Sequence, residues 1–64
     1  MKLSDLEKHL RAQGCSFGRE GGNHRIWKNS ANGKSAAVPR HRDVPPGTVR
    51  KICQDLEIEL PRER

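Results

Sequence analysis

The 64-residue sequence predicts a single α+β domain of order α-β-β-β-α, a three-stranded antiparallel sheet with two helices on one face. Three observations carry this reading. An apolar stripe at helical spacing stands near each end of the chain, and three strand-length pieces separated by turn residues lie between them. A chain this short supports only one core. With 31% hydrophobic residues and a single Trp and Phe, that core is thin. Packing both helices against one sheet face closes it most simply and leaves the other face open to a ligand. A thin core also argues against a deep enclosed pocket for a nucleotide-sized cofactor.

The first helix reads from about Ser4 to Gln13. Ser4 and Glu7 have the spacing of a capping box, in which each side chain satisfies a free amide at the helix start. Leu3, Leu6 and Leu10 then form one stripe, and Gly14 supplies a left-handed cap. Cys15–Glu20 has strand length and stops at Gly21-Gly22. Asn23–Lys28 alternates weakly, Asn29–Gly33 reads as a turn, and Lys34–Val38 returns as a third strand closed by Pro39. Pro45-Pro46-Gly47-Thr48 opens the last helix, because proline is tolerated where the first amides have no intrahelical partner. Val49, Ile52, Cys53 and Leu56 follow at i, i+3, i+4 and i+7. Residues 1–58 form the domain and 59–64 a charged tail; from Glu57 onward the chain is expected to fray.

The net charge of +5 is unevenly placed. Residues 19–42 hold Arg19, Arg25, Lys28, Lys34, Arg40 and Arg42 against Glu20 alone, while the segments on either side are nearly balanced. Such a concentration suits a polyanion partner as well as it suits a solvated surface. The opening Met-Lys-Leu-Ser-Asp-Leu lacks the apolar run of a signal peptide, and no stretch approaches the roughly 20 apolar residues of a membrane span. A cytoplasmic protein with Cys15 and Cys53 reduced, half-buried and inert is therefore expected.

Of the three histidines, His9 falls beside the leucine stripe and reads as surface or core edge. His24 follows Gly-Gly inside the basic segment, where an imidazole has the chemistry for proton transfer near neutrality. A histidine that merely caps a turn is the commoner meaning of such a position. Pro39-Arg40-His41-Arg42 offers cations suited to phosphate, or a solvated loop. Trp27 and Phe17 are needed for packing in a chain so poor in aromatics. Cys15, His24, His41 and Cys53 lack the short spacings of a compact zinc motif, so no metal ligands are assigned. Gly21-Gly22 lacks the rest of a nucleotide-binding loop.

Three segments taken in order resemble one family. Arg19-Glu20-Gly21-Gly22-Asn23-His24-Arg25-Ile26-Trp27 resembles the start of the second strand in HicA toxins. Val38-Pro39-Arg40-His41 is similar to that family's Val-Pro-x-His segment, and Gly47-Thr48-Val49-Arg50-Lys51-Ile52 resembles its Gly-Thr opening of the final helix. Together with the first helix they cover residues 1–58. A serine precedes the histidine in the commoner family form, where this chain has Asn23.

The resemblance implies a fold like that of double-stranded-RNA-binding domains. It also implies metal-independent endoribonuclease action on mRNA, without a cofactor, as the toxin of a type II toxin–antitoxin system that acts in stress responses. His24 would be the catalytic histidine, as base or acid, with Arg19, Asn23, Arg25, Lys28, Lys34, Arg40, His41 and Arg42 as candidate RNA-binding residues. The partner would be a HicB-type antitoxin, through which alone DNA would be contacted. The alternative is a non-catalytic RNA-binding domain of the same fold, although such domains carry more lysines at the start of the last helix than Arg50-Lys51 provides. A DNA-binding regulator fits less well, because Asp55 and Glu57 would repel phosphates along the final helix.

Overall fold

The structure, a computed structural model, describes residues 1–61. It has the expected order: α1 (Leu3–Ala12), β1 (Cys15–Gly21), β2 (His24–Asn29), β3 (Ser35–Pro39) and α2 (Pro46–Leu56). The strands form an antiparallel meander in the order β1-β2-β3. Leu6 and Leu10 of α1 join Val49, Ile52, Cys53 and Leu56 of α2 in one core with Cys15, Trp27, Ala36 and Val38 of the sheet. The buried strand residues share one face, so both helices cover that face. Val44, between β3 and α2, also belongs to this core and is 1% exposed.

α1 starts one residue earlier than the sequence suggested, and the capping box does not form. Lys2 is the N-cap and no side chain caps the helix. Backbone contacts from the other half of the chain replace the side chain. Leu3 N donates to Arg42 O at 2.9 Å, Lys2 bridges Asp43, and Val44 N donates to Met1 O at 2.7 Å. Ser4 is thereby drawn inside the helix, and Glu7 is released to pair elsewhere. Gly14, with φ of +87°, ends α1 as its lack of a Cβ allows.

The strands each shift by up to one residue toward the C-terminus relative to the expected bounds. Asn29 ends β2 instead of opening the turn, because its buried side chain is bonded at both ends. Its Nδ2 donates to Leu56 O at 2.9 Å, and its Oδ1 accepts from Ala31 N at 3.0 Å. The expected fraying from Glu57 does not occur through residue 61. Ile58 N donates to Cys53 O at 3.0 Å, Ile58 packs on the core, and His9 Nε2 meets Glu59 O at 2.7 Å. The rest of the expected tail, 62–64, lies outside the described residues.

One irregularity matters for the site. The β1–β2 register slips between Phe17, opposite Trp27, and Arg19, opposite Ile26, which makes a bulge at Gly18. A Cβ on Gly18 would stand 3.0 Å from the Ile26 carbonyl oxygen, so glycine permits the close approach. The bulge changes which side each later residue faces. Arg19 joins the open face of the sheet, and Glu20 turns to the helix face beside Arg25.

Candidate functional site

His24 opens β2 directly after the Gly22-Asn23 turn, in which Gly22 has φ of +62°. Side chains alternate along a strand, so His24, Ile26 and Lys28 face away from the helices while Arg25, Trp27 and Asn29 face toward them. His24 is exposed and lines two adjoining grooves. One is bounded by Pro39, His41, Asp43, Pro45 and Thr48. The other is bounded by Ala37, Pro45, Gly47, Thr48, Lys51, Ile52 and Asp55. The start of α2 thus forms a wall beside the histidine. Gly47 and Thr48 precede the first intrahelical bond of α2, from Val49 N to Pro45 O at 3.0 Å, and the positive end of the helix dipole lies on this side.

Alternation divides the basic middle third into two sets. Arg25 points to the helix face, where its Nη1 donates to Glu7 Oε2 at 2.8 Å and its guanidinium lies 5.8 Å from the Phe17 ring centre. Arg40 follows it, with Nη1 2.6 Å from Glu20 Oε2, and Arg25 Nε lies 4.0 Å from the same carboxylate. These two arginines are joined to acids on the side opposite His24. Arg19 and Lys28 are exposed on the His24 side. Lys34 stands at the far end of the sheet, 3.9 Å from Glu57. Asn23 sits in the turn itself, and its carbonyl accepts from Arg40 N at 3.2 Å. His41 and Arg42 are exposed in the segment after β3. Of the expected RNA contacts, His41 shares a groove with His24, Asn23 adjoins it in the turn, Arg19 and Lys28 lie further along the same sheet face, Arg42 is exposed after β3, Arg25 and Arg40 turn away, and Lys34 is remote.

Sequence reasoning missed the α2 contribution. Thr48, Lys51 and Asp55 reach the groove, with Lys51 Nζ 3.5 Å from Asp55. Their spacing of i, i+3 and i+7 was a legible signal, a polar stripe flanking the apolar one. Asp43 in the groove wall carried no such signal, because its place depends on the bridge to Lys2.

Other chemistries find less support. Both cysteines are buried and free. Burial pushes the Cys15 thiol up, and burial followed by the neighbouring Cys15 does the same for Cys53, which disfavours the nucleophilic thiolate. Among the described residues, no group of three His, Cys, Asp or Glu side chains could hold a metal ion. No described helix is long and apolar enough to cross a membrane. Trp27 is 1% exposed beneath the Arg11 guanidinium, which lies 5.2 Å from its ring centre, and so offers no free stacking platform. Phe17, expected in the core, is 46% exposed because it lies on the edge strand with one ring edge toward Trp27.

Residues 3–58 match the family model described as HicA toxin of bacterial toxin-antitoxin. No curated protein and no solved structure matches the chain.

Proposed function

The chain belongs to the HicA toxin family, and on that premise we propose that it is a metal-independent endoribonuclease that cleaves mRNA with His24. Membership makes it a toxin of a toxin–antitoxin system and implies a HicB-type antitoxin as partner. The observation that supports the enzymatic reading is the placement of His24. The imidazole is exposed in a groove on the open sheet face, with cations along that face and a helix N-terminus in its wall.

RNA carries its own nucleophile, the 2′-hydroxyl beside each phosphodiester. An enzyme need only position that group, move protons and offset the charge on the phosphorus. A shallow groove suffices for this. His24 handles a proton at the reacting oxygens. Arg19 and Lys28 hold the backbone of the strand across the sheet, Arg42 and Lys51 lie at its margins, and Asn23 positions the turn beside the histidine. The antitoxin would neutralise the protein by covering this face, acting where both partners meet the mRNA, in the cytoplasm.

The experiment is incubation of the purified chain with defined RNA in the presence of a chelator, beside His24→Ala. Cleavage by the wild-type chain, reduced about 10²–10⁴-fold in the variant, is the expected result. Equal cleavage by both proteins refutes the role of His24. Binding of RNA without cleavage would make the protein a non-catalytic RNA-binding domain.

A further inference from the structure

His41 lies outside every regular element, yet the fold brings it to His24. The register pairs His24 with Pro39. The bond from Arg40 N to Asn23 O, at 3.2 Å, carries the ladder one step past the end of β3. Pro39 and His41 are two positions apart in this extension, which makes His41 the diagonal neighbour of His24 on the same face. Diagonal neighbours stand roughly 7–8 Å apart, with their Cβ atoms somewhat closer, within mutual reach of long side chains. Both histidines are exposed and line one groove, with Pro39, Asp43, Pro45 and Thr48 as its other walls. The intervening Arg40 points the other way, to Glu20. The segment Pro39-Arg40-His41 is thus not a patch of equivalent cations: alternation sends one imidazole to the groove and one guanidinium away from it.

We propose that His41 is the second proton-transfer residue of the cleavage, paired with His24 across a single phosphodiester. The inference rests on the ribonuclease reading of the same groove. One neutral ring takes the proton of the 2′-hydroxyl as the bond from that oxygen to phosphorus forms. The bond from phosphorus to the 5′-oxygen breaks, and the leaving oxygen takes a proton from the other ring, which is charged. The products are a 2′,3′-cyclic phosphate and a 5′-hydroxyl, and the two rings have exchanged protonation states. Proton exchange with solvent restores them, so no further reactant is consumed. The shared groove supports this division, because both rings line the space in which a phosphate would lie.

The charged surroundings are defined on every side. Asp43 lies in the shared groove, and Lys51 with Asp55 lies in the groove next to it. Glu20 of β1 is engaged by Arg40 and Arg25. Arg40 and Arg42 flank His41 in sequence.

The test compares full-length wild type, His24→Gln and His41→Gln on an RNA oligonucleotide containing a cleavage site mapped with the wild type. A second substrate carries sulfur in place of the bridging 5′-oxygen at that site, a leaving group that departs without a proton. The expected result is a fall in kcat of about 10²–10⁴-fold in each variant, with KM little changed. The wild-type profile of kcat/KM against pH is bell-shaped, and each variant loses one limb. The variant that lacks the acid recovers on the sulfur substrate, and the other does not.

Retention of kcat and of both limbs by His41→Gln, with a salt-dependent rise in KM, overturns the pair and leaves His41 as a phosphate contact. Failure of both variants to recover on the sulfur substrate also overturns it. If His24 is required while His41 is dispensable, the pair alone fails. If His24→Gln cleaves as well as wild type, or the wild type does not cleave, the underlying ribonuclease reading fails with it. His41 is exposed, so Trp27 fluorescence serves to confirm that each variant is folded.

Discussion

Replacing Arg25 by methionine should damage the fold and spare the reaction, although Arg25 adjoins the proposed catalytic residue in sequence. Its side chain is 35% exposed and bonds Glu7, whose own side chain is only 11% exposed, at 2.8 Å. Exposed pairs contribute about 0–1 kcal/mol, and breaking a fully buried pair costs about 3–5 kcal/mol. A pair with one end buried and the other a third open falls between them, at about 2 kcal/mol, most of it from leaving the Glu7 carboxylate unpartnered. A domain of this size has about 3–10 kcal/mol in total, and each kcal/mol lowers Tm by about 4–8 °C. Arg25→Met should therefore melt about 8–16 °C lower, measured by Trp27 fluorescence. Lys28→Met, on the other face, should change stability by less than about 0.5 kcal/mol. It should weaken RNA binding and lower the salt slope of binding by about 0.7. Well below its melting temperature, Arg25→Met should cleave RNA near the wild-type rate. The reasoning is refuted if Arg25→Met keeps its Tm and loses RNA binding as Lys28→Met does.

Three further outcomes follow from the packing. Asn29→Ala removes two hydrogen bonds and leaves the Leu56 carbonyl only its bond from Asn32 Nδ2 at 3.2 Å, which should cost about 1–2 kcal/mol in denaturant titration. Gly22→Ala forces a Cβ onto a residue with φ of +62° and should cost about 1–2 kcal/mol in the same assay, despite the open space around it. Both thiols are pushed up in the folded chain, so the folded state holds more protons than the unfolded one once pH exceeds the ordinary thiol value of 9.0. Stability should therefore be unaffected by the thiols below that pH and fall as pH rises above it. The double variant Cys15→Ala, Cys53→Ala should lose that part of the alkaline decline in unfolding titrations across this range.

The elements themselves were legible because their signals are local. Helical spacing of Leu6 with Leu10, and of Val49 with Ile52 and Leu56, requires no knowledge of the rest of the chain. The capping of α1 was misread because the segment between β3 and α2 overrode a local preference. Arg42 O and Asp43 occupy the place that Ser4 and Glu7 would have used. The docking of Ile58 was missed for the same reason, since its partners lie on other elements. At the site, the sequence located His24 and the basic segment but could not sort the cations by face. Sorting required the register of β2 and the bulge at Gly18, which the run Cys15–Gly21, lacking apolar–polar alternation, does not reveal. Thr48, Lys51 and Asp55 were legible as a polar stripe, but their place beside His24 required α2 to be set against β3.

The brace between residues 1–3 and 42–44 also has a bearing on synthesis. It ties the segment carrying His41 to residues synthesised well before it, while Thr48 and Lys51, which wall the His24 grooves, are synthesised after both. A nascent chain that ends before Thr48 lacks part of every groove around His24. If the groove is the toxic site, a translating ribosome is protected from its own product until α2 has been made. Toxicity then begins with the completed fold, at the stage when an antitoxin can recognise the same surface.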